Sequence, residues 1–190
     1  MPTQAPTQAV KKDNHYTYSD TLTWDDDRQY ELIDGVIHMM APPNRKHQAI
    51  CREILTQLTV FLRGKPCKVY DALSVRLNAA GDDNTYLIPD IVVVCDRSKL
   101  DDMGCTGAPD MIVEVLSPST AARDKLIKFN KYLQSGVCEY WIVDPETHTI
   151  SAYVLKNGEY MARAYGGDDS PPVHVLDGCK IHLSEVFAEE

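Results

Sequence analysis

The chain has 190 residues, 44% of them hydrophobic and 25% charged, which is the length and composition of one globular domain, residues 1–190. Its formal net charge of −9 argues against nonspecific coating of nucleic acid, because such binding needs lysines and arginines to neutralise phosphates. No apolar run approaches the ~18 residues of a membrane span, and the polar N-terminus lacks the apolar segment of a secretory signal. We therefore expect no membrane partner and a loosely ordered tail over residues 1–18.

The six cysteines show no C-x-x-C spacing and no histidine partners at zinc-finger distance. Cys95 and Cys138 lie inside apolar runs, where a free thiol behaves as a small hydrophobic side chain. The simplest interpretation is a reduced protein of the cytoplasm.

The first predicted elements are an acidic turn, a hairpin and a helix. The turn or short helix falls around Thr23 to Asp27, and strand-like runs from Tyr30 to Ile33 and from Val36 to Met40 flank Asp34-Gly35. Asp-Gly between two such runs is a strong hairpin signal. Apolar residues then recur at helical spacing from His47 to Leu62.

The later elements alternate between strands and one further helix. In chain order they are strands Lys68 to Leu77, Tyr86 to Cys95 and Met111 to Leu116, a helix from Ala121 to Gln134, a strand in "CEYWIVDP", and weaker strands Ile150 to Leu155 and Tyr160 to Tyr165. This order predicts a three-layer α/β domain in which helices flank a mixed β-sheet, with an N-terminal hairpin and a C-terminal antiparallel extension.

Two acidic residues lie in the most apolar strands. Asp90 follows Pro89 in "YLIPDIVVVC", and Glu114 lies in the middle of "PDMIVEVLSPST". A buried carboxylate is rare unless it is paired. The two groups could share a proton, each bind a buried base, or hold a divalent cation such as Mg²⁺ between them. The alternative is that each is satisfied separately, with Pro-Asp serving only as an ordinary strand entry.

Four blocks of sequence carry a resemblance to a known family: "YELIDGVIHMMAPPNRKHQ", "IPDIVVVC", "PDMIVEVLSPST" and "KFNKYLQSGVCEYWIVDP". Together they resemble the Uma2 family of restriction-endonuclease-like proteins, within the PD-(D/E)XK nuclease superfamily. The resemblance implies a restriction-endonuclease-like core and a metal-dependent endonuclease that hydrolyses DNA phosphodiester bonds. It also implies Mg²⁺ as cofactor, with Mn²⁺ as a substitute, and allows for a homodimer.

The resemblance also implies roles for particular residues. Asp90 and Glu114 would bind the catalytic metal, with the backbone carbonyl of Val115 as a third ligand. The superfamily lysine, two positions after the glutamate, is replaced here by Leu116. The family pattern implies that this lysine has moved to the following helix, at Lys128.

Three further residues have competing interpretations. Lys125 is an alternative to Lys128, because a helical wheel in which core residues Leu126, Phe129, Tyr132 and Leu133 face the sheet places Lys125 nearer the apolar arc. Glu31 resembles an additional acidic residue of the superfamily metal site, or else caps a hairpin turn. His47 could orient a phosphate or share a hydrogen bond with Glu31, or simply lie at the surface.

Two other functions remain open at this point. A noncatalytic nucleic-acid-binding or regulatory protein that retains the nuclease fold is favoured by Leu116 and by the acidic net charge. Hydrolysis of another class of phosphoester is the third possibility.

Overall fold

The structure is a computed structural model that describes residues 15–24, 29–117 and 121–188, without the side chains of 121–125. Its helices in these ranges are α1 (Tyr18–Thr21), α2 (Arg45–Leu62), α3 (Ala121–Ser135) and α4 (Leu183–Val186). Its strands in these ranges are β1 (Tyr30–Ile33), β2 (Val36–Met39), β3 (Lys68–Asp71), β4 (Val75–Arg76), β5 (Tyr86–Leu87), β6 (Ile91–Val94), β7 (Leu100–Asp101), β8 (Gly104–Thr106), β9 (Met111–Val115), β10 (Glu139–Asp144), β11 (Thr149–Lys156) and β12 (Glu159–Gly166).

The central sheet is mixed, as predicted. Its strand order is β12-β11-β10-β9-β6-β3, and β9 and β10 are parallel while the other neighbours are antiparallel. Parallel neighbours need a long crossover connection, which α3 supplies between β9 and β10. The crossover therefore brings α3 against the sheet beside the C-terminal end of β9.

A second sheet contains the predicted hairpin. Its order is β2-β1-β5-β4-β8-β7, and β1 pairs with β2 across Asp34-Gly35. These two turn residues have φ angles of 50° and 78°. Positive φ at both central residues is what a two-residue hairpin turn requires, so the Asp-Gly signal is confirmed.

Two strands predicted as continuous are each divided between the sheets. The run from Lys68 to Leu77 breaks at Ala72, whose φ of 46° ends β3 and whose N–H donates to the Asp90 carbonyl at 3.1 Å. The run from Tyr86 to Cys95 breaks between β5 and β6, where Pro89 has no N–H for a ladder. Asp90 therefore lies at the junction between the two sheets.

The central sheet is buried on both faces. Alternate residues of β6 point to opposite sides, with Ile91 and Val93 in one apolar cluster and Val92 and Val94 in the other. The first cluster joins the sheet to α2 and to the C-terminal segment, and the second joins it to α3 and the second sheet. The predicted three-layer arrangement is thus confirmed.

The N-terminal predictions have mixed outcomes. Residues 1–14 of the predicted tail lie outside the described residues, but Tyr16 and Tyr18 are buried, so the end of that segment belongs to the fold. Of the turn or short helix predicted around Thr23 to Asp27, Thr23 lies in the turn that follows α1, and positions 25–27 lie outside the described residues.

A disulfide joins Cys67 and Cys95, so the prediction of reduced cysteines is wrong for these two residues. They lie opposite each other, one position beyond the β3–β6 pair of Lys68 and Val94. The remaining four cysteines are free thiols.

No helix in the described ranges is both long enough and apolar enough to cross a membrane.

Candidate metal-binding active site

The antiparallel register of β6 and β9 brings the first two candidate residues together. Ile91 pairs with Val113 and Val92 with Ile112, so the same register continued by one residue sets Asp90 opposite Glu114. Directly opposite residues of an antiparallel pair have Cβ atoms about 5 Å apart. Both side chains line the same cleft at this end of the central sheet.

Asp90 is held by two hydrogen bonds to the same carboxylate oxygen. Its Oδ2 accepts the backbone N–H of Val115 at 2.7 Å and lies 3.2 Å from Nε2 of His47. The Asp90 side chain is 22% exposed, so it is shielded by these partners and still reachable from solvent. Val115 thus contacts Asp90 through its own backbone.

Glu114 lies on the face of β9 that is covered by α3. Its Oε1 accepts the Tyr132 hydroxyl at 2.7 Å and the Lys128 ammonium at 3.0 Å. Burial raises the pKa of Glu114 to about 7; Lys128 lowers it, whereas Asp90 and Glu31 raise it. Near neutral pH the Glu114 carboxyl therefore exchanges readily between its charged and neutral forms.

Glu31 reaches the same place from the hairpin. It is 6% exposed on β1, and its Oε1 accepts the Ile88 N–H at 3.1 Å and the Lys128 ammonium at 2.8 Å. These contacts do not match the alternative in which Glu31 caps a hairpin turn. A carboxylate from β1 is thus linked through Lys128 to Glu114 of β9.

Lys128 is the buried cation of this cluster. Its side chain is 13% exposed and its ammonium bridges Glu31 and Glu114. Although burial lowers its pKa, the charges of the two carboxylates outweigh burial and the net direction is upward. Lys128 is therefore charged at physiological pH.

The helical wheel that favoured Lys125 had a wrong phase. It placed both Leu126 and Tyr132 against the sheet, yet Leu126 is 69% exposed and, of the two, Tyr132 alone is buried. The buried face of α3 therefore passes through Lys128 and Tyr132, which are four residues apart and share one side of a helix. The side chain of Lys125 lies outside the described residues.

Tyr132 belongs to the site, although the spacing of the aromatic residues predicted only that it packs in the core. Its hydroxyl donates to Glu114, and burial raises its pKa. A signal was available in the sequence, because a buried tyrosine hydroxyl needs a partner and Tyr132 lies one helical turn from Lys128.

His47 is buried, contrary to its interpretation as a surface residue. Asn44 caps α2 by accepting the His47 N–H at 2.9 Å, and the imidazole contacts Asp90 rather than Glu31. Burial lowers the pKa of His47, but hydrogen bonds to Asp90 and to the Val115 backbone raise it, and the net direction is upward.

All of these residues except Tyr132 line one cleft of about 530 Å³ between the hairpin, the start of α2 and the central sheet. The side chains of Glu31, Asp90 and Glu114 bring three carboxylates to it, and Lys128 is the one lysine among the described side chains that line it. The carboxylates of Asp90 and Glu114 and the Val115 carbonyl are hard oxygen donors, of the kind that Mg²⁺ and Mn²⁺ accept. The residues present therefore fit a divalent cation.

Comparison with known proteins supports this architecture. The family model Uma2, described as "Putative restriction endonuclease", matches residues 18–184. Among curated proteins, uncharacterized protein slr1290 of Synechocystis sp. is 27% identical over 152 residues, which are 78% of this chain and 79% of that protein. Uncharacterized protein sll1609 of the same organism is 28% identical over 127 residues, which are 65% of this chain and 70% of that protein.

A solved structure has the same fold. It is the "Crystal structure of a putative nuclease belonging to DUF820" from Anabaena variabilis ATCC 29413, with a TM-score of 0.75 and 20% sequence identity. The match covers 91% of this chain and 98% of that chain. The restriction-endonuclease-like fold that the sequence predicts is thus confirmed, and since the family model spans both sheets and all the cleft residues described above, the chain belongs to the Uma2 family.

Proposed function

We propose that this protein is a metal-dependent endonuclease that hydrolyses DNA phosphodiester bonds, with Mg²⁺ as cofactor and Mn²⁺ able to replace it. One observation carries the proposal: carboxylates from β1, β9 and the entry of β6 line one cleft, and two of them bind the same buried ammonium. A buried ion pair that serves only stability does not need a third carboxylate beside it, because the excess negative charge is costly away from water. The family description of a restriction endonuclease agrees with this chemistry.

In this proposal Asp90, Glu114 and the Val115 carbonyl hold the cation. When bound, the cation offsets negative charge on the phosphate and lowers the pKa of the attacking water. The N–H of Val115 holds Asp90 in place, and the hydroxyl of Tyr132 does the same for Glu114. Both carboxylates are thereby oriented before the substrate arrives.

Lys128 acts in its charged form. Because its pKa is raised by two carboxylates, it is a poor proton acceptor at neutral pH. We therefore assign it to donating hydrogen bonds to the attacking water and to a phosphate oxygen, where its positive charge stabilises the transition state. Glu31 positions the ammonium for this task through its 2.8 Å contact.

The test is cleavage of single-stranded, duplex and branched DNA by the purified protein with Mg²⁺ or Mn²⁺. Wild type should cleave at least one form, and Asp90→Asn and Glu114→Gln should each reduce the rate by about 100-fold or more. Glu146→Gln is the matched control, because Glu146 is 74% exposed and pairs only with Lys46 in the described contacts. Absence of cleavage of every DNA form with both metals would instead favour the noncatalytic binding protein.

The cellular location and the oligomeric state of the protein are further predictions of this proposal. We predict a cytoplasmic protein that forms a homodimer when it cuts both strands of a duplex. Light scattering coupled to size-exclusion chromatography, with and without duplex DNA, measures the assembly.

A further inference from the structure

His47 contacts one of the three groups that we assign to the cation and lies beside a second. Its Nε2 lies 3.2 Å from Oδ2 of Asp90, and the same oxygen accepts the backbone N–H of Val115 at 2.7 Å. The ring is 11% exposed and faces the cleft from the first turn of α2. The imidazole is therefore next to the position that a cation shared by Asp90 and Val115 would take.

Two hydrogen-bonding contacts position His47, one through its backbone and one through its ring. Asn44 accepts the His47 backbone N–H at 2.9 Å, which sets the start of α2. One turn later, Sγ of Cys51 lies 3.5 Å from Nδ1 of His47. Because Nδ1 is occupied by the thiol, Nε2 is the nitrogen that faces Asp90.

We propose that Nε2 of His47 is itself a ligand of the divalent cation, so that the site is a mixed nitrogen and oxygen site. This inference rests on the proposed metal site and extends it. In the neutral tautomer of His47 that carries its proton on Nδ1, the Nδ1–H donates a hydrogen bond to the Cys51 sulfur. The other nitrogen, Nε2, then presents a lone pair towards Asp90. Ligand atoms of His47, Cys51 and Asp90 all lie within 4.8 Å of one another, which is compact enough for a shared ion.

A nitrogen ligand changes which cations the site prefers. Mg²⁺ takes oxygen ligands almost exclusively, whereas imidazole favours first-row transition metals, and affinity rises along the series from Mn²⁺ to Co²⁺. The cleft should therefore bind Mn²⁺ and Co²⁺ more tightly than Mg²⁺, and His47 should be the source of that difference.

The competing explanation is that His47 only positions Asp90 by a hydrogen bond. His47→Gln separates the two roles, because the glutamine amide can still donate to Asp90 but offers no nitrogen lone pair. His182→Gln is the matched control, since His182 is exposed and hydrogen-bonded to Ser170. All three proteins are made without a polyhistidine tag.

The experiment measures Co²⁺ and Mg²⁺ affinity by calorimetry. Wild type should bind Co²⁺ at least about tenfold more tightly than Mg²⁺, and His47→Gln should remove about tenfold of Co²⁺ affinity while leaving Mg²⁺ affinity nearly unchanged. The visible spectrum of bound Co²⁺ should change in His47→Gln and stay the same in His182→Gln. Equal losses for both metals, or no loss for either, would overturn the inference.

A second measurement uses only the wild-type protein, in case His47→Gln does not fold. Pulsed electron paramagnetic resonance of the Mn²⁺-loaded protein should show coupling to an imidazole ¹⁴N nucleus. Cation binding without that coupling would refute the nitrogen ligand alone, and coupling without DNA cleavage would refute the nuclease alone. A wild-type protein that binds no divalent cation would refute both.

Discussion

Removal of the Lys128 charge should destabilise the fold in a pH-dependent way. Lys128→Met keeps most of the side-chain volume but leaves Glu31 and Glu114 without the ammonium that lies 2.8 and 3.0 Å from them. The side chains of these glutamates are only 8% and 14% exposed, so water replaces the lost partner poorly. Removing one partner of a buried ion pair typically costs about 3–5 kcal/mol.

Protonation sets an upper limit on this loss. A glutamate that has lost its cationic partner can take up a proton and become neutral. For a glutamate with an ordinary pKa, this protonation costs about 5 kcal/mol at pH 8 but only about 1 kcal/mol at pH 5. Glu114, whose pKa is already about 7, takes up its proton more readily still. We therefore expect Lys128→Met to lose about 3–5 kcal/mol at pH 8 and about 1 kcal/mol at pH 5.

The assay is urea unfolding at both pH values without divalent cations, followed by circular dichroism. Lys131→Met is the control, because Lys131 lies on the same helix and pairs with Asp34, whose side chain is 59% exposed. Such a surface pair is worth less than about 1 kcal/mol, so this variant should change little at either pH. Equal losses for the two variants at pH 8, or a Lys128→Met loss that is the same at both pH values, would refute the reasoning.

Three further predictions concern the same cleft and the disulfide. Burial raises the pKa of Glu114 to about 7, and the carboxyl must lose its proton to bind a cation. Mn²⁺ affinity measured by calorimetry should therefore rise about tenfold per pH unit below pH 7 and level off above it. Glu114→Gln should remove this pH dependence of the affinity. Tyr132→Phe removes a hydroxyl that donates to Glu114, so urea unfolding should show a loss of about 1 kcal/mol and the affinity profile should shift to higher pH. Thiol titration of the denatured, unreduced chain should find four of the six cysteines free, and Cys67→Ala with Cys95→Ala should lower the melting temperature; six free thiols would show that the bridge does not form.

The local elements could be predicted from the sequence because their signals are local. The Asp34-Gly35 turn depends on two residues that tolerate positive φ, and α2 depends on apolar spacing that its buried Ile50, Ile54 and Leu58 reproduce. Both signals lie within one element, so no knowledge of the tertiary fold is needed. The two acidic residues were visible for the same reason, because each is a charged residue within its own apolar strand.

The breaks in the long strands could not be predicted, since they arise from contacts between distant segments. Ala72 adopts positive φ while its N–H bonds to the carbonyl of Asp90, eighteen positions further along the chain. Likewise, Glu31 and Lys128 are 97 positions apart, and nothing in either neighbourhood marks them as partners. Leu126 misled the helical wheel because an apolar residue does not have to be buried.

The position of the lysine explains how the site can lack the usual superfamily pattern. Leu116 occupies the position two residues after Glu114, where its N–H continues the ladder to Val143 at 2.9 Å. The ammonium instead comes from α3, so it is fixed by the packing of a helix that also supplies Tyr132 to Glu114. Since Glu31 also binds this ammonium from the hairpin, two elements hold the Lys128 charge in place, and its position does not depend only on β9, the strand that carries Glu114.

This arrangement has a consequence for the order of binding in the proposed reaction. Among the described side chains of the cleft, Asp90, Glu31 and Glu114 carry up to three negative charges, and Lys128 and a protonated His47 offset two of them. A phosphate that approaches the cleft alone meets net repulsion, which is strong where water is largely excluded. A bound divalent cation would make the net charge of the cleft less negative. The carboxylates that repel a phosphate would therefore also bind the cation that allows the phosphate to bind. In the proposed reaction we therefore expect metal binding to precede productive binding of the phosphodiester, and the acidic character of the chain is compatible with an anionic substrate.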